Sequence, residues 1–361
     1  MSQVKVLVVD DSAFMRKAIS MMLESDPDIK VVGMGHDGNE GIELVKKLKP
    51  DIVTLDIEMP RMDGLTALKH IMADNPTPVM MISSLTTDGA SATLDALQLG
   101  AVDFIPKQLS FVALDIVKIK EQLIQKIKHI AQNKNRLLRQ IRSRTIPKSP
   151  SSMNKRSSRT TGPTSILDCT GRKEANIVAI GASTGGPPAL QAIIPRLPRN
   201  LPVPVVIVQH MPPTFTKSLA DRLNSLSKVA VKEAEQSEPL KAGVVYISPG
   251  SQHLTVKDSS SLKQVRLSDE PSDTLHKPAV DVMMRSVANA YGSKTLGVIL
   301  TGMGSDGLEG LKVVKQKGGK ILAQNEDSCV VYGMPRSVVE NKLANKVVHI
   351  DRMANEIMAC F

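Results

Sequence analysis

The chain contains 361 residues, of which 42% are hydrophobic and 23% are charged, close to the average composition of soluble globular proteins. A domain commonly holds about 100 to 200 residues, so we expect two domains. The formal net charge is +10, yet residues 116–160 alone carry 13 Lys or Arg against one acid, a net charge of +12. The remainder is therefore close to neutral. With 2% aromatic residues and no Trp, the chain has few of the stacking surfaces that bind single-stranded nucleic acid.

The sequence also argues against a membrane or secreted protein. No uncharged apolar run reaches the roughly 18 residues that a transmembrane helix needs, and the first residues, MSQVKVLVVDDSAF, place acids before an apolar leader could form. We expect neither an integral membrane segment nor a secretory signal. Cys169, Cys329 and Cys360 are far apart without CxxC or His-rich spacing, which disfavours a disulfide framework or a zinc site. A reducing, cytoplasmic environment fits this pattern.

The first 110 residues alternate short apolar runs with helical patterns. Continuous apolar strands, rather than strands of alternating polarity, are typical of a parallel sheet that is covered by helices on both faces. We therefore predict five βα units, with strands near residues 4–10, 31–35, 51–56, 78–83 and 101–105.

A basic segment follows this region. From Ile116 onward, apolar residues recur at spacings of three and four as far as Ile141, with Lys and Arg between them, and this periodicity predicts one long helix. Residues 143–175 are rich in Ser, Pro and Arg and nearly lack large apolar residues. Such a segment buries too little surface to offset the entropy of ordering it, so we predict a flexible linker.

A second α/β pattern begins near residue 175. The short stretches HLTV and VRLS around a Ser-rich turn at 258–261 predict a β-hairpin appended to a mainly parallel sheet. We place the main strands near residues 175–183, 204–210, 244–248, 295–302 and 320–324.

Polar side chains end several strands of the first half. Asp10 and Asp11 end the first strand, Asp56 the third and Ser83 the fourth, and Lys107 follows the fifth. The carboxyl ends of parallel strands share one edge, so these residues can converge. Crowded carboxylates repel unless a cation lies among them, and an oxygen-only set suits Mg²⁺. The alternative is that the acids are helix caps and turn residues.

These residues resemble the motifs of response-regulator receiver domains over about residues 1–120. The resemblance implies a flavodoxin-like fold in which Asp56 accepts phosphate from a sensor histidine kinase. It also implies that Asp10, Asp11 and Asp56 hold Mg²⁺, and that Ser83 and Lys107 form the phosphorylation switch. Family members usually have Pro after the lysine, whereas Gln108 stands here, so a cis peptide is not expected after Lys107. The motifs are DD at 10–11, LDIEMPRMDG at 55–64, SS at 83–84 and DFIPK at 103–107.

The second half contains a possible nucleophile. GAS183TG, with Ser183 between a strand and a helix, satisfies the G-x-S-x-G elbow pattern, in which glycines allow a tight turn that exposes the hydroxyl. His210 and Asp306 lie at two other strand ends, and a serine hydroxyl needs an imidazole base oriented by a carboxylate. Alternatively the loop cradles a phosphate, His210 caps a helix, and Asp306 is a helix N-terminal acid.

The second domain resembles the catalytic domain of the chemotaxis protein-glutamate methylesterases, the CheB family. The resemblance implies hydrolysis of glutamate methyl esters on chemoreceptors, with deamidation of selected glutamines, and no cofactor for the hydrolysis. Ser183 is then the nucleophile, His210 the general base and Asp306 the orienting acid, with the amide of Met303 as an oxyanion donor. The matching segments, within residues 176–310, are AIGASTGGP, QHMP, SPG followed by QHL, HKPAVDV and LTGMGSDG.

The remaining assignments follow from the same comparison. His253 and His276 fall in family segments, and we favour structural or substrate-contact roles for them; the other histidines are expected at surface or capping positions. The predicted domains are a receiver over residues 1–120, a basic helix extension and linker over 121–175, and a catalytic domain over 176–361. We expect a cytoplasmic monomer whose partners are methyl-accepting chemotaxis receptors and a sensor histidine kinase.

Two other functions are compatible with parts of the sequence. The +12 segment can attract nucleic-acid phosphates, which would make the chain a nucleic-acid-binding response regulator, but it shows no helix-turn-helix pattern, and we expect no nucleic-acid partner. GASTGG can be read as a nucleotide-phosphate loop, although it has neither the GxxxxGK[ST] nor the G-x-G-x-x-G spacing.

Overall fold

The computed structural model describes residues 3–107, 113–145, 175–259 and 262–361. Most of the predicted linker, together with Gln108 and Cys169, lies outside these ranges. None of the helices in the described ranges combines the length and the apolar character needed to cross a membrane.

The first domain is a five-stranded parallel sheet of order β2-β1-β3-β4-β5, which confirms the predicted flavodoxin-like receiver architecture. β3 and β4 are buried along their whole length, as expected for central strands covered on both faces. The elements are β1 Val4–Val9, α1 Ala13–Glu24, β2 Ile29–Gly35, α2 Gly38–Leu48, β3 Ile52–Asp56, α3 Gly64–Asp74, β4 Val79–Ser83, α4 Thr87–Leu99 and β5 Asp103–Pro106.

Four receiver helices begin at side-chain caps. Ser12, Asp37, Asp63 and Thr86 each accept a hydrogen bond from a backbone N–H in the first turn of α1 to α4. Such caps satisfy N–H groups that have no partner within the helix. The caps start each helix shortly after a strand, which keeps the polar strand ends in short loops at one edge of the sheet.

The basic segment forms two helices, α5 Ala113–Gln132 and α6 Lys134–Thr145, so the prediction of one long helix is wrong. Asn133 interrupts it: its side-chain amide donates to His129 O at 2.8 Å, and its own carbonyl accepts from Arg136 N at 3.0 Å. Asn competes for backbone groups in this way and favours helix ends. The apolar period passes through the break because residues on both sides pack on the receiver sheet; they are Leu123, Ile127, Ile130 and Leu137.

The second domain has a seven-stranded sheet of order β14-β13-β12-β6-β7-β9-β8, in which every neighbouring pair is parallel. This confirms the predicted α/β fold, although the short edge strands β8 and β14 were not predicted. Its elements are β6 Ile177–Ala182, α7 Gly186–Ile193, β7 Val205–Gln209, α8 Pro213–Leu226, β8 Ala230–Glu233, β9 Val244–Ile247, α9 Val280–Tyr291, β12 Thr295–Ile299, α10 Leu308–Gln316, β13 Lys320–Gln324, α11 Met334–Glu340, β14 Lys346–Val348 and α12 Ile350–Met358.

The predicted hairpin is present as β10 His253–Ser259 and β11 Leu262–Ser268, which pair antiparallel in a two-stranded sheet of their own. Leu254, Val256 and Val265 on the hairpin share a buried cluster with Val280 and Val287 of α9. The hairpin therefore covers α9 instead of extending the seven-stranded sheet.

The two domains contact each other through the receiver's α4 and β5. Arg222 of α8 donates to Asp95 Oδ1 at 2.6 Å and to the side chain of Gln98, both on α4. Phe104 of β5 stacks on Phe215 of α8 with 4.6 Å between ring centroids. The receiver therefore lies against the helix that follows β7, close to the carboxyl end of that strand.

Candidate active site

Three neighbouring strands of the second sheet carry the predicted catalytic residues at their carboxyl ends. Ser183 follows β6, His210 follows β7, and Asp306 lies beyond β12. Because β6 stands between β12 and β7, Ser183 lies between the strands that supply the other two residues. Backbone hydrogen bonds between neighbouring segments continue beyond the strand ends. Ser183 N donates to Thr301 O at 3.0 Å, and His210 N donates to Ala182 O at 3.1 Å.

A hydrogen bond joins His210 and Asp306, with 2.8 Å between His210 Nε2 and Asp306 Oδ2. The backbone N–H groups of Val280 and Asp281 also donate to Asp306, at 2.7 and 2.9 Å. Burial favours the neutral acid, but the hydrogen bond and charge of His210 and the two N–H donors outweigh it and lower the pKa of Asp306 to about 2. Asp306 is therefore held as a carboxylate against the His210 ring.

The serine turn is held by backbone and side-chain contacts. Gly185 has φ +75°, a left-handed conformation that glycine adopts without strain. The carbonyl of Ser183 accepts from Gly186 N at 2.8 Å and from Gln209 Nε2 at 2.9 Å. Gly302 approaches so closely that a Cβ there would lie 2.9 Å from Ser183 Cβ. The Asp306 loop therefore passes directly beside the serine.

Thr301 is a second support that the sequence analysis did not identify. Its buried hydroxyl donates to Thr184 O at 2.9 Å and accepts from Val330 N and Val331 N, both at 3.1 Å. One side chain thus joins the serine turn to the chain at 330–331. Thr301 lies inside the LTGMGSDG segment, which is one of the segments that resemble the family. Its place in that segment is the sequence feature that could have pointed to Thr301.

His276 lies against the proposed base. Its ring stacks on the His210 ring with 4.2 Å between centroids. Burial, and then the charge of His210, lower the pKa of His276 to about 4, so its imidazole is neutral at pH 7. The buried His253 instead has a structural role, because its Nδ1 accepts from Ala279 N at 3.1 Å at the start of α9.

Two of the three predicted catalytic residues, His210 and Asp306, are hydrogen-bonded to each other. The third, Ser183, follows the strand that lies between theirs. Within the described ranges, no hydrogen bond joins the Ser183 hydroxyl to His210, and His210 Nδ1 has no partner. Catalytic hydrogen bonds are often long or poorly aligned in unliganded enzymes. The ring nitrogen that does not bind Asp306 is thus left without a hydrogen-bond partner among the described residues.

The acidic cluster of the receiver is also assembled. Asp10, Asp11 and Asp56 each offer a carboxylate oxygen, and these oxygens lie within 4.8 Å of one another. Lys107 Nζ lies 2.6 Å from Asp56 Oδ2 and 3.1 Å from Asp10 Oδ2. Burial raises the pKa of Asp56 to about 6; the lysine opposes this rise and Asp10 adds to it. The oxygen-only donor set and its spacing fit Mg²⁺.

The two predicted switch residues, Ser83 and Lys107, contact different parts of the receiver. Lys107 contacts Asp56 directly although proline does not follow it. Ser83 is buried, and its hydroxyl donates to Gly89 O at 3.0 Å, in the first turn of α4. The structure therefore joins the lysine to the aspartates and the serine to the helix that contacts the second domain.

Both halves of the chain match known families. The receiver model named "Response regulator receiver domain" matches residues 6–117, and the model named "CheB methylesterase" matches residues 178–357. A curated relative from Oleidesulfovibrio alaskensis, "Protein-glutamate methylesterase/protein-glutamine glutaminase 1", is 52% identical over 98% of each chain. The chain belongs to the CheB family.

Further CheB relatives agree with this assignment. A protein of Nitratidesulfovibrio vulgaris, "Protein-glutamate methylesterase/protein-glutamine glutaminase 2", is 51% identical over 98% of each chain. The crystal structure of the Thermotoga maritima CheB methylesterase catalytic domain is 46% identical, with a TM-score of 0.51, and covers 52% of this chain and 99% of that chain. The fold expected of a CheB protein is thereby confirmed.

Replacing Asp306 by Asn should lower kcat by about 10⁴-fold, because an amide cannot fix the imidazole in the same tautomer. The pKa of Asp306 is lower in the folded chain than the usual 3.8, so its contribution to stability is complete above pH 4 and is lost as pH falls toward 2. We expect the variant to lose about 2 kcal/mol of unfolding free energy at pH 7. Turnover and urea unfolding at pH 7 and pH 3 test this.

The difference in unfolding free energy between wild type and Asp306→Asn should be smaller at pH 3 than at pH 7. The control is Asp221→Asn on the exposed face of α8, which should change neither kcat nor the unfolding free energy. An unchanged kcat in Asp306→Asn would contradict the orienting role.

Proposed function

We propose that this CheB protein is a phosphorylation-activated hydrolase that removes methyl esters from receptor glutamates and deamidates selected glutamines, with Ser183, His210 and Asp306 as its catalytic triad. The observation that carries the proposal is the His210–Asp306 hydrogen bond, which joins the strands on either side of β6. An imidazole so oriented beside a serine turn in which Ser183 is partly exposed suits acyl transfer.

The first step is attack by the Ser183 hydroxyl on the ester or amide carbonyl. His210 takes the hydroxyl proton at Nδ1, since its Nε2 is bound to Asp306. The two nitrogens thus exchange the roles that they have in chymotrypsin-like proteases. The imidazolium that forms is stabilised by the Asp306 carboxylate, which stays ionised because its pKa is about 2.

The charge on the tetrahedral oxygen needs donors near Ser183. The backbone N–H of Met303 is our candidate, since it follows Gly302, the residue packed against Ser183. No backbone carbonyl in the described part of the chain accepts from this N–H. An N–H donor in an oxyanion hole contributes about 10²–10³-fold to kcat.

His210 then returns its proton to the leaving group, which departs as methanol from an ester or ammonia from an amide. Water attacks the acyl-enzyme, with His210 again acting as base. The product in both cases is a glutamate carboxylate on the receptor. One triad can therefore serve both reactions.

Regulation begins at Asp56, which we propose accepts a phosphoryl group from a sensor histidine kinase. Asp10, Asp11 and Asp56 would hold Mg²⁺, which supplies neutralising charge at the phosphoryl oxygens when bound. Lys107 is within reach of the same oxygens, since it already lies 2.6 Å from Asp56.

The route from Asp56 to the second domain passes through α4. The Ser83 hydroxyl binds Gly89 O in the first turn of α4, and Asp95 and Gln98 farther along α4 hold Arg222. A Ser83 hydroxyl that turns to a phosphoryl oxygen gives up its bond to Gly89. We propose that the loss of this hydrogen bond lets α4 shift. The shift would weaken the hydrogen bonds that Arg222 donates to Asp95 and Gln98 and open the active site.

The charges of the basic helices support this assignment over nucleic-acid binding. Lys126 pairs with Asp103 of the receiver, Lys128 with Asp26 and Asp28, and Lys134 with Asp51. Arg136 donates to Glu326 O and Val330 O of the second domain, at 3.0 and 3.2 Å. These four cations serve contacts within the chain. The cytoplasmic location and the monomeric state remain predictions.

Replacing Ser183 by Ala should abolish methanol release from methylated receptor membranes, a loss of at least about 10⁴-fold, because the nucleophile is gone. Released methanol is the measurement, and Ser225→Ala on the exposed end of α8 is the control. Retained activity in Ser183→Ala with an unchanged fold would eliminate the serine mechanism.

Replacing Asp56 by Asn should leave the unstimulated rate in place and remove stimulation by a small phosphodonor such as acetyl phosphate, since an amide cannot be phosphorylated. The rates of methanol release with and without the phosphodonor give the result. Asp74→Asn, on the exposed end of α3, should be stimulated normally. Stimulation that survives in Asp56→Asn would place the phosphoacceptor elsewhere.

Replacing Arg222 by Ala should raise the unstimulated rate several-fold and reduce the further gain from phosphodonor, because its ion pair with Asp95 joins α8 to α4. Lys217→Ala removes the same charge from the solvent side of α8 and should change neither rate. An Arg222→Ala protein with the wild-type unstimulated rate would show that this contact does not restrain the enzyme.

A further inference from the structure

The loop at residues 269–278, between the hairpin and α9, exposes an apolar side chain beside the active site. Leu275 is 91% exposed, well above the next large hydrophobic side chain in the described part of the chain, Phe14 at 64%. Exposed apolar side chains are common singly. The position of Leu275 makes it distinctive, because His276, the next residue, stacks on the proposed base at 4.2 Å between ring centroids.

The loop is anchored at both ends. The buried ring of His253 accepts from Ala279 N at 3.1 Å, and its other nitrogen lies 3.1 Å from Pro271 O and 3.2 Å from Thr274 Oγ1. Ser251 N also donates to Lys277 O, at 3.3 Å. Backbone on either side of Leu275 is thus tied to the start of β10. Because the loop is anchored, Leu275 loses less conformational entropy when it contacts another molecule than a residue on a free loop would.

We propose that Leu275 is a substrate-contact residue that binds an apolar side chain on the receptor segment carrying the methyl ester; this inference rests on the proposed function. The ester carbon has to reach Ser183 and His210, and Leu275 is one residue from the ring that covers His210. On a helical substrate, residues three or four positions from the modified glutamate lie about 5–6 Å from it. In the proposed complex, an apolar residue at that spacing contacts Leu275 while the ester lies at Ser183.

The test compares Leu275→Ser with wild type in the full-length protein, activated by acetyl phosphate, over a range of methylated receptor membrane concentrations. We expect KM for methanol release to rise about tenfold and kcat to stay within about twofold of wild type, because the lost contact is apolar and does not touch the reacting atoms. Leu275→Met, which restores an apolar side chain of similar volume, should return KM to near the wild-type value.

Leu262→Ser is the matched control, because Leu262 is an exposed leucine, 56% accessible, at the far end of the hairpin. It should leave both constants unchanged. An unchanged KM in Leu275→Ser would overturn the proposal. A lower kcat at constant KM would also overturn it, since Leu275 would then act through His276 and not through the substrate.

Two further results separate the alternatives. If wild type releases no methanol that depends on Ser183, the proposed function fails, whatever Leu275 does. If wild type sediments as a dimer that Leu275→Ser dissociates, Leu275 contacts a second copy of the chain and the substrate proposal is wrong. A wild-type monomer together with a raised KM in Leu275→Ser supports the receptor contact.

Discussion

The hydrogen bond between His210 and Asp306 depends on the order of three strands. The two side chains come from strands that both pair with β6, so they can meet only across the end of the strand that carries Ser183. Asp306 Oδ2 also accepts from the N–H of Val280, at the start of α9, where the helix dipole favours a carboxylate. A single carboxylate thus links α9, β12 and β7, and any shift among them would misdirect the imidazole.

The serine turn depends on contacts from outside its own segment. Thr301 ties it to the chain at 330–331, and Gln209 holds the carbonyl of Ser183. Val330 lies against Gly185 in that turn, and the carbonyl of Val330 accepts from Arg136 of α6. Two contacts, Arg136 to Val330 and Val330 to Gly185, therefore connect α6 with the turn that contains Ser183. The receiver therefore contacts the second domain through α4, β5 and α6, beside the edge of the sheet where Ser183 lies.

Several parts of this arrangement are visible in the sequence. The strands of both sheets were predicted closely because each central strand is a continuous apolar run, and such runs are typical of a covered parallel sheet. β8 and β14 were missed because edge strands of three or four residues leave little pattern. The break at Asn133 was missed because the apolar period continues through it. Hydrophobic spacing reports which face is buried, whereas a hydrogen bond from one side chain to the backbone ends the helix.

By itself, the sequence determined the two families, the strand ends that carry Ser183, His210, Asp306 and Asp56, and the choice of these residues as candidates. Local patterns suffice for this, because each candidate is recognised from its own neighbours in the chain. Glycines flank Ser183, and the acids lie at or beyond the ends of apolar strands. Only the tertiary structure decided that His276 stacks on His210, that Lys107 reaches Asp56, and that Ser83 binds α4 and not the aspartate. These pairs lie 6 to 66 positions apart, and their contacts depend on loop paths and side-chain rotamers that local spacing does not specify.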